Sequence, residues 1–186
     1  MGLYVYQPNA NSYAGLGFSM LDNDRIVDVH YTDTPIADSW VSPVAHGFDD
    51  NPDSEGDFPS LSNYNQIPVM SERAWEALRP VIGYCCEALP IIHPTGKPFF
   101  IVHVMETVNC LDFDRSEVKR YSDGGIMRIV RYALIDERLH GKHIFKLPRG
   151  NARDLIVDGA FRNAVEASSL AGLEFNELPL VEQIVR

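Results

Sequence analysis

Long apolar runs are missing from this chain, and none approaches the ~18 residues of a membrane-crossing helix. The opening Met1-Gly2-Leu3-Tyr4-Val5-Tyr6-Gln7-Pro8 brings neither a basic stretch nor a long apolar one. No secretory signal is expected there, and a cytoplasmic location is. Cysteine is scarce: three residues, with Cys85 and Cys86 adjacent, do not make a disulfide framework and fit a reducing compartment. Basic residues are scarcest of all in the first third. Residues 1–69 hold ten Asp and Glu against the single Arg25, a net −9, whereas residues 70–186 hold sixteen against fifteen, a net −1. A total of −10 argues against an intrinsic nucleic-acid binder.

What remains is a globular composition, 45% hydrophobic and 23% charged over 186 residues. A chain of this length buries roughly 70% of the surface exposed when unfolded, so its core needs no disulfide or metal.

Leu3–Tyr6 reads as a short strand. Ile26–Tyr31 reads as another, because Val27, Val29 and Tyr31 alternate with Asp28 and His30. Ser42 to Pro68 is irregular, broken by Pro43, Pro52, Pro59 and Pro68 with Gly47 and Gly56 between them. A loop of this length in a compact domain is usually functional or disordered. Ser71 caps a helix over about 71–83, with Ala74, Trp75, Leu78 and Ile82 on one face, and Pro80 kinks or ends it. Trp75 is therefore a core residue. Phe99–Val108 is apolar on both faces and reads as a central strand covered on both sides. Val118–Tyr121 and Ile126–Ile135 form a hairpin across Ser122-Asp123-Gly124-Gly125. Strands follow near His143–Leu147 and Leu155–Val157. Asp158 then caps a helix over about 159–169, Gly172 turns the chain, and Leu173–Phe175 closes it.

The expectation is an α+β fold: a mostly antiparallel or mixed sheet packed by two main helices. Residues 1–69 form an acidic segment with short strands and a Pro/Asp-rich loop. Residues 70–186 form an α+β unit, with the first segment either a separate lobe or part of one continuous compact unit.

No catalytic constellation stands out. His140 and His143 lack the further ligands that zinc requires, and His103 in an apolar strand reads as a hydrogen-bonded core histidine. Asn51, Asp53, Glu55 and Gly56 imitate the opening of a calcium loop, but the first position is not Asp and the twelfth is Ser62. This excludes an EF-hand and leaves only an irregular calcium site as an alternative. Cys85, Cys86 and Cys110 read as structural, with no activating base in the local sequence. Gly15-Leu16-Gly17 lacks the third glycine of a dinucleotide loop. No cofactor and no metal are expected.

From about residue 58 to 176 the chain resembles the eleventh immunity-protein family of bacterial polymorphic toxin systems. The resemblance runs through Met70-Ser71-Glu72-Arg73-Ala74-Trp75-Glu76-Ala77-Leu78 and then Phe99-Phe100-Ile101-Val102-His103-Val104-Met105 with Asn109-Cys110-Leu111-Asp112. It continues through Arg138-Leu139-His140-Gly141-Lys142-His143-Ile144-Phe145-Lys146-Leu147, and then Phe161–Val165 and Leu170-Ala171-Gly172-Leu173-Glu174-Phe175. It implies a non-enzymatic cytoplasmic protein that binds and neutralises a cognate toxin. No catalytic residue is carried over with it.

The acidic first third suggests how such binding works, because a field of one sign steers a partner of the other. The expected toxin-binding residues are Asp49, Asp50, Asp53, Glu55 and Asp57, with Trp40 and Phe48 as apolar anchors. For Trp40, core packing is the competing reading. The expected partner is a toxin with a basic active-site surface, with no nucleic acid and no membrane; the oligomeric state stays open. The alternatives are an enzyme that reverses the toxin's modification and a regulatory module of a secretion cluster.

Overall fold

The computed structural model describes residues 2–48, 50–62, 64–148 and 154–181. Its elements run β1 (Leu3–Pro8), α1 (Met20–His30), β2 (Val69–Ser71), α2 (Glu72–Ile82), β3 (Cys86–Ile91), β4 (Phe99–Val104), β5 (Glu117–Arg120), β6 (Ile126–Arg131), β7 (Ile144–Lys146), β8 (Leu155–Asp158), α3 (Gly159–Ala167) and β9 (Leu173–Glu177). All strand pairings are antiparallel, in three sheets ordered β7-β8-β1-β9, β2-β4-β3 and β5-β6. The fold is α+β, as predicted.

Pleat alternation explains the layering. On β4, Val102 and Val104 face one side with Met70, and Ile101 and Phe99 face the other with Val69, Leu89 and Ile91. The first side joins α2 (Ala74, Leu78, Ile82), α3 (Phe161, Val165) and one face of the four-stranded sheet (Tyr4, Tyr6, Ile144, Leu155, Val157) in a shared core. The second side is covered by the first third of the chain, through Leu16, Phe18, Ile26, Val29, Ala45, Leu61 and Ile67. β4 is thus central and covered on both faces. The remaining face of the four-stranded sheet packs Leu3, Phe145 and Ile156 against Val108, Leu111, Ile129 and Leu139. β1 itself lies inside that sheet, between β8 and β9. The acidic segment therefore contributes an inner strand and part of all three cores.

Both main helices start as expected. The Ser71 hydroxyl accepts the Ala74 amide at 3.1 Å, and the Asp158 carboxylate accepts the Phe161 amide at 3.0 Å. Pro80 lies in the last turn of α2, which ends two residues later.

Two expectations need correction, and one strand adds to them. Ile26–Tyr31 is not a strand but lies largely in α1, capped by Ser19, whose hydroxyl accepts the Asp22 amide at 3.2 Å. The residues it buries, Ile26, Val29 and His30, follow helical spacing. The apparent two-residue alternation had Val27 and Tyr31 facing inward, and both are only half-buried. β4 also stops at Val104, short of Val108. The Met105 amide turns to the Cys85 carbonyl at 2.9 Å, and Val108 runs on to donate to the Lys146 carbonyl beside β7. Finally, Cys86–Ile91 is a strand, β3, that forms the hairpin partner of β4.

Candidate functional site

Between Arg25 and Arg73 the chain carries no Lys or Arg. The structure fastens this stretch at many points and leaves part of its charge outward.

The first fastening is a strap along the outer edge of β3. The Ile36 and Ala37 amides donate to the Glu87 carboxylate at 2.7 and 3.2 Å. The Trp40 indole donates to the Pro90 carbonyl at 2.9 Å. Ile92 and Ala45 then exchange backbone bonds with the strap, Ile92 donating to the Pro43 carbonyl and Ala45 to the Ile92 carbonyl, both at 2.9 Å. Beneath the strap, His103 is 1% exposed and places Nδ1 2.8 Å from Glu87 Oε1 and Nε2 2.7 Å from the Thr32 carbonyl oxygen. A carbonyl only accepts, so Nε2 carries a proton there. Lys146 donates from β7 to the carbonyls of His30 at 2.8 Å and Thr32 at 3.1 Å, and pairs with Asp33 at 3.0 Å. The Lys146 ammonium meets the carbonyl end of α1, where the helix dipole favours positive charge. Burial alone would raise the Glu87 carboxyl, but His103 and the two strap amides outweigh it and hold the group below its ordinary value.

The second set of fastenings holds the loop that follows. Gly17 and His46 exchange a pair of backbone bonds at 2.9 Å each. The Asn51 side chain accepts the Gly15 amide at 3.0 Å and donates to the Gly15 carbonyl at 2.9 Å. The Ala14 amide donates to the Ser54 carbonyl at 2.8 Å. Gly15 and Gly17 lie at close approaches, Gly15 to Ser60 and Gly17 to His46 and Phe48. A Cβ on Gly17 would stand 2.7 Å from His46 Nε2 and 2.9 Å from the Phe48 ring.

Asp57 closes the loop from inside. It is 7% exposed, and its carboxylate accepts from the Ser71 hydroxyl at 2.7 Å, the Ala171 amide at 2.9 Å and the Arg73 guanidinium. Its own amide donates to the Ala171 carbonyl at 2.7 Å, and its carbonyl accepts from Ser71 at 2.9 Å. Burial would raise its carboxyl, but these donors and the Arg73 charge together hold it below the usual carboxylate range.

The predicted site residues are therefore placed differently from one another. Asp50 and Asp53 are exposed and make no ion pair among the described residues. Glu55 is exposed and pairs with Lys97 at 2.6 Å. Asp57 is buried and committed to internal donors. Phe48 is half-buried, packed over Gly15 and Gly17 and edge-on to His46 at 5.9 Å. Trp40 is half-buried on the β3 edge, with the Arg25 guanidinium 5.0 Å from its ring centre. Asp49 lies outside the described residues. Sequence reasoning missed Asn51, Glu87 and Arg73 as the residues that shape this surface. Asn51 had a local signal, an Asn beside Pro52 in a turn-rich stretch, whereas the partners of the other two are remote in sequence.

A cleft of about 320 Å³ adjoins the loop, lined by Glu55, Asp57, Glu72, Arg73, Lys97 and Phe99 among others. A larger cavity of about 500 Å³ lies between Leu3, Tyr132, Leu139 and Leu180 and draws no lining from the acidic loop. All three cysteines are buried, and burial pushes the Cys110 thiol up to about 11. His143 places Nδ1 2.9 Å from Asp158, the cap of α3. Among the described residues, no group of three His, Cys, Asp or Glu could hold a metal ion, and no helix is long and apolar enough to cross a membrane.

No curated protein matches the chain. A family does: residues 90–179, from the end of β3 through β9 and without α1 or the acidic loop, match the model of the Immunity protein family (Imm11).

Proposed function

We propose that this chain is an immunity protein that binds a cognate bacterial toxin in the cytoplasm and neutralises it by covering a basic active-site surface. The match of residues 90–179 to the Immunity protein family carries the reading. The matched part supplies a packed scaffold, and the acidic loop outside the match supplies the contact surface. Support comes from the loop's fastening. An ordered loop loses little conformational freedom on binding, so more of its contact energy becomes affinity. Outward carboxylates at Asp50 and Asp53 raise the association rate with a cationic partner, most strongly at low salt.

The test is a pull-down with tagged protein from its host bacterium, followed by measurement of association with the captured toxin. The expected result is a stoichiometric complex whose formation slows as salt rises. Charge reversal at Asp50→Lys with Asp53→Lys should slow association by about tenfold or more. Unchanged affinity in the reversed variant would remove the acidic surface from the account.

A further inference from the structure

The β3–β4 hairpin ends in an exposed apolar patch that it shares with the start of the Pro-rich stretch at Val44. Val44 and Ile92 form a parallel bridge pair, so their side chains stand together. Both are exposed, at 60% and 54%. Pro90, two residues before Ile92, projects to the same face and is exposed, and its cross-strand partner Phe100 is half-buried. The opposite face of the same residues, at Leu89 and Ile91, is closed in the core. The hairpin turn also carries Lys97, which brings Glu55 of the acidic loop to this end of the molecule at 2.6 Å. Glu72 joins it there, its amide donating to the Pro98 carbonyl at 3.1 Å, and both carboxylates border the adjoining cleft.

We infer that this patch is the apolar centre of the docking surface, and that its occupant is a protein surface presenting an aliphatic or aromatic side chain flanked by Lys or Arg. This rests on the toxin-binding reading and specifies the partner. Charge selects the occupant. An anionic membrane is disfavoured because Lys97 of the hairpin turn is already paired with Glu55 and the segment between Arg25 and Arg73 has no Lys or Arg. A second copy of the chain, docked by two-fold symmetry, would bring two acidic loops against each other. A cationic amphipathic surface satisfies the exposed aliphatics and the Glu72 carboxylate beside them, Glu55 being already paired with Lys97, with apolar contacts at the centre and charge at the rim.

The experiment uses the full-length protein and two probe peptides at low salt: an amphipathic leucine–lysine peptide and a lysine–serine peptide of equal length and charge. Methyl and amide NMR shifts locate binding. The leucine–lysine peptide is expected to shift the Val44 and Ile92 methyls and to bind about tenfold more tightly than the lysine–serine peptide. The exposed-site double variant Val44→Ser with Ile92→Thr should abolish that difference while leaving the lysine–serine affinity unchanged. Equal binding of the two peptides to the unaltered protein overturns the patch and leaves the acidic surface standing. Binding of neither overturns both readings. Capture by phosphatidylserine vesicles, or a dimer that the double variant dissociates, overturns the assignment in favour of a lipid or a second copy.

Discussion

Asn51 grips Gly15 by two hydrogen bonds, taking its amide at 3.0 Å and giving to its carbonyl at 2.9 Å. One side chain in the acidic loop thereby imitates a strand partner for the segment after β1. With the Gly17–His46 pair it turns a stretch rich in proline and glycine into an ordered surface. Replacing Asn51 with Ala should leave the Gly15 groups without their partner, destabilise the protein by about 1–2 kcal/mol and speed hydrogen exchange at Gly15. Unchanged exchange would show that the grip does not order the loop.

Gly17→Ala tests the close approach beneath the loop. The new Cβ would meet His46 and the Phe48 ring at 2.7–2.9 Å, so both side chains must move. The expected cost is about 1–3 kcal/mol in denaturant unfolding, with displaced Phe48 ring signals.

Asp57→Asn tests the clasp. In the folded chain the Asp57 carboxyl is held below its ordinary value. Its stabilisation is therefore complete above the ordinary carboxylate range and is lost as pH falls through the lowered folded value. The variant should be less stable near neutral pH by about 1–3 kcal/mol, because donors once bound to a carboxylate lose a partner. Its stability should also fall less steeply on acidification. Equal slopes for variant and parent, measured by unfolding across the acid range, would contradict the clasp.

Glu87→Gln tests the strap. The carboxylate accepts from the Ile36 and Ala37 amides while facing His103, and a glutamine must turn its own NH₂ toward one of these donors. A loss of about 1–3 kcal/mol is expected, with faster exchange at the Ile36 and Ala37 amides.

Periodic and capped elements were legible in the sequence, and remote ones were not. β4, α2, α3 and β9 announced themselves through apolar pattern, Ser71, Asp158 and the turn at Gly172, whose φ is +107°. α1 was misread because Val27, Val29 and Tyr31 imitate a strand, while the helical set of Ile26, Val29 and His30 hides its inward member in a polar residue. β3 was obscured by Pro90, which is tolerated on an edge strand covered by the strap rather than by a full partner. The acidic loop was visible as charge, but Asp57 looked like its neighbours. Its inward role depends on Ala171, far along the chain, and no local pattern encodes that contact.

The most direct measurement titrates the purified protein into a fixed amount of the active toxin proposed as its partner and reads residual toxin activity. Neutralisation by binding predicts a linear loss that ends at one equivalent, with the endpoint blunted by high salt. Full protection at a small fraction of an equivalent, growing with time, would contradict it and identify turnover in place of binding.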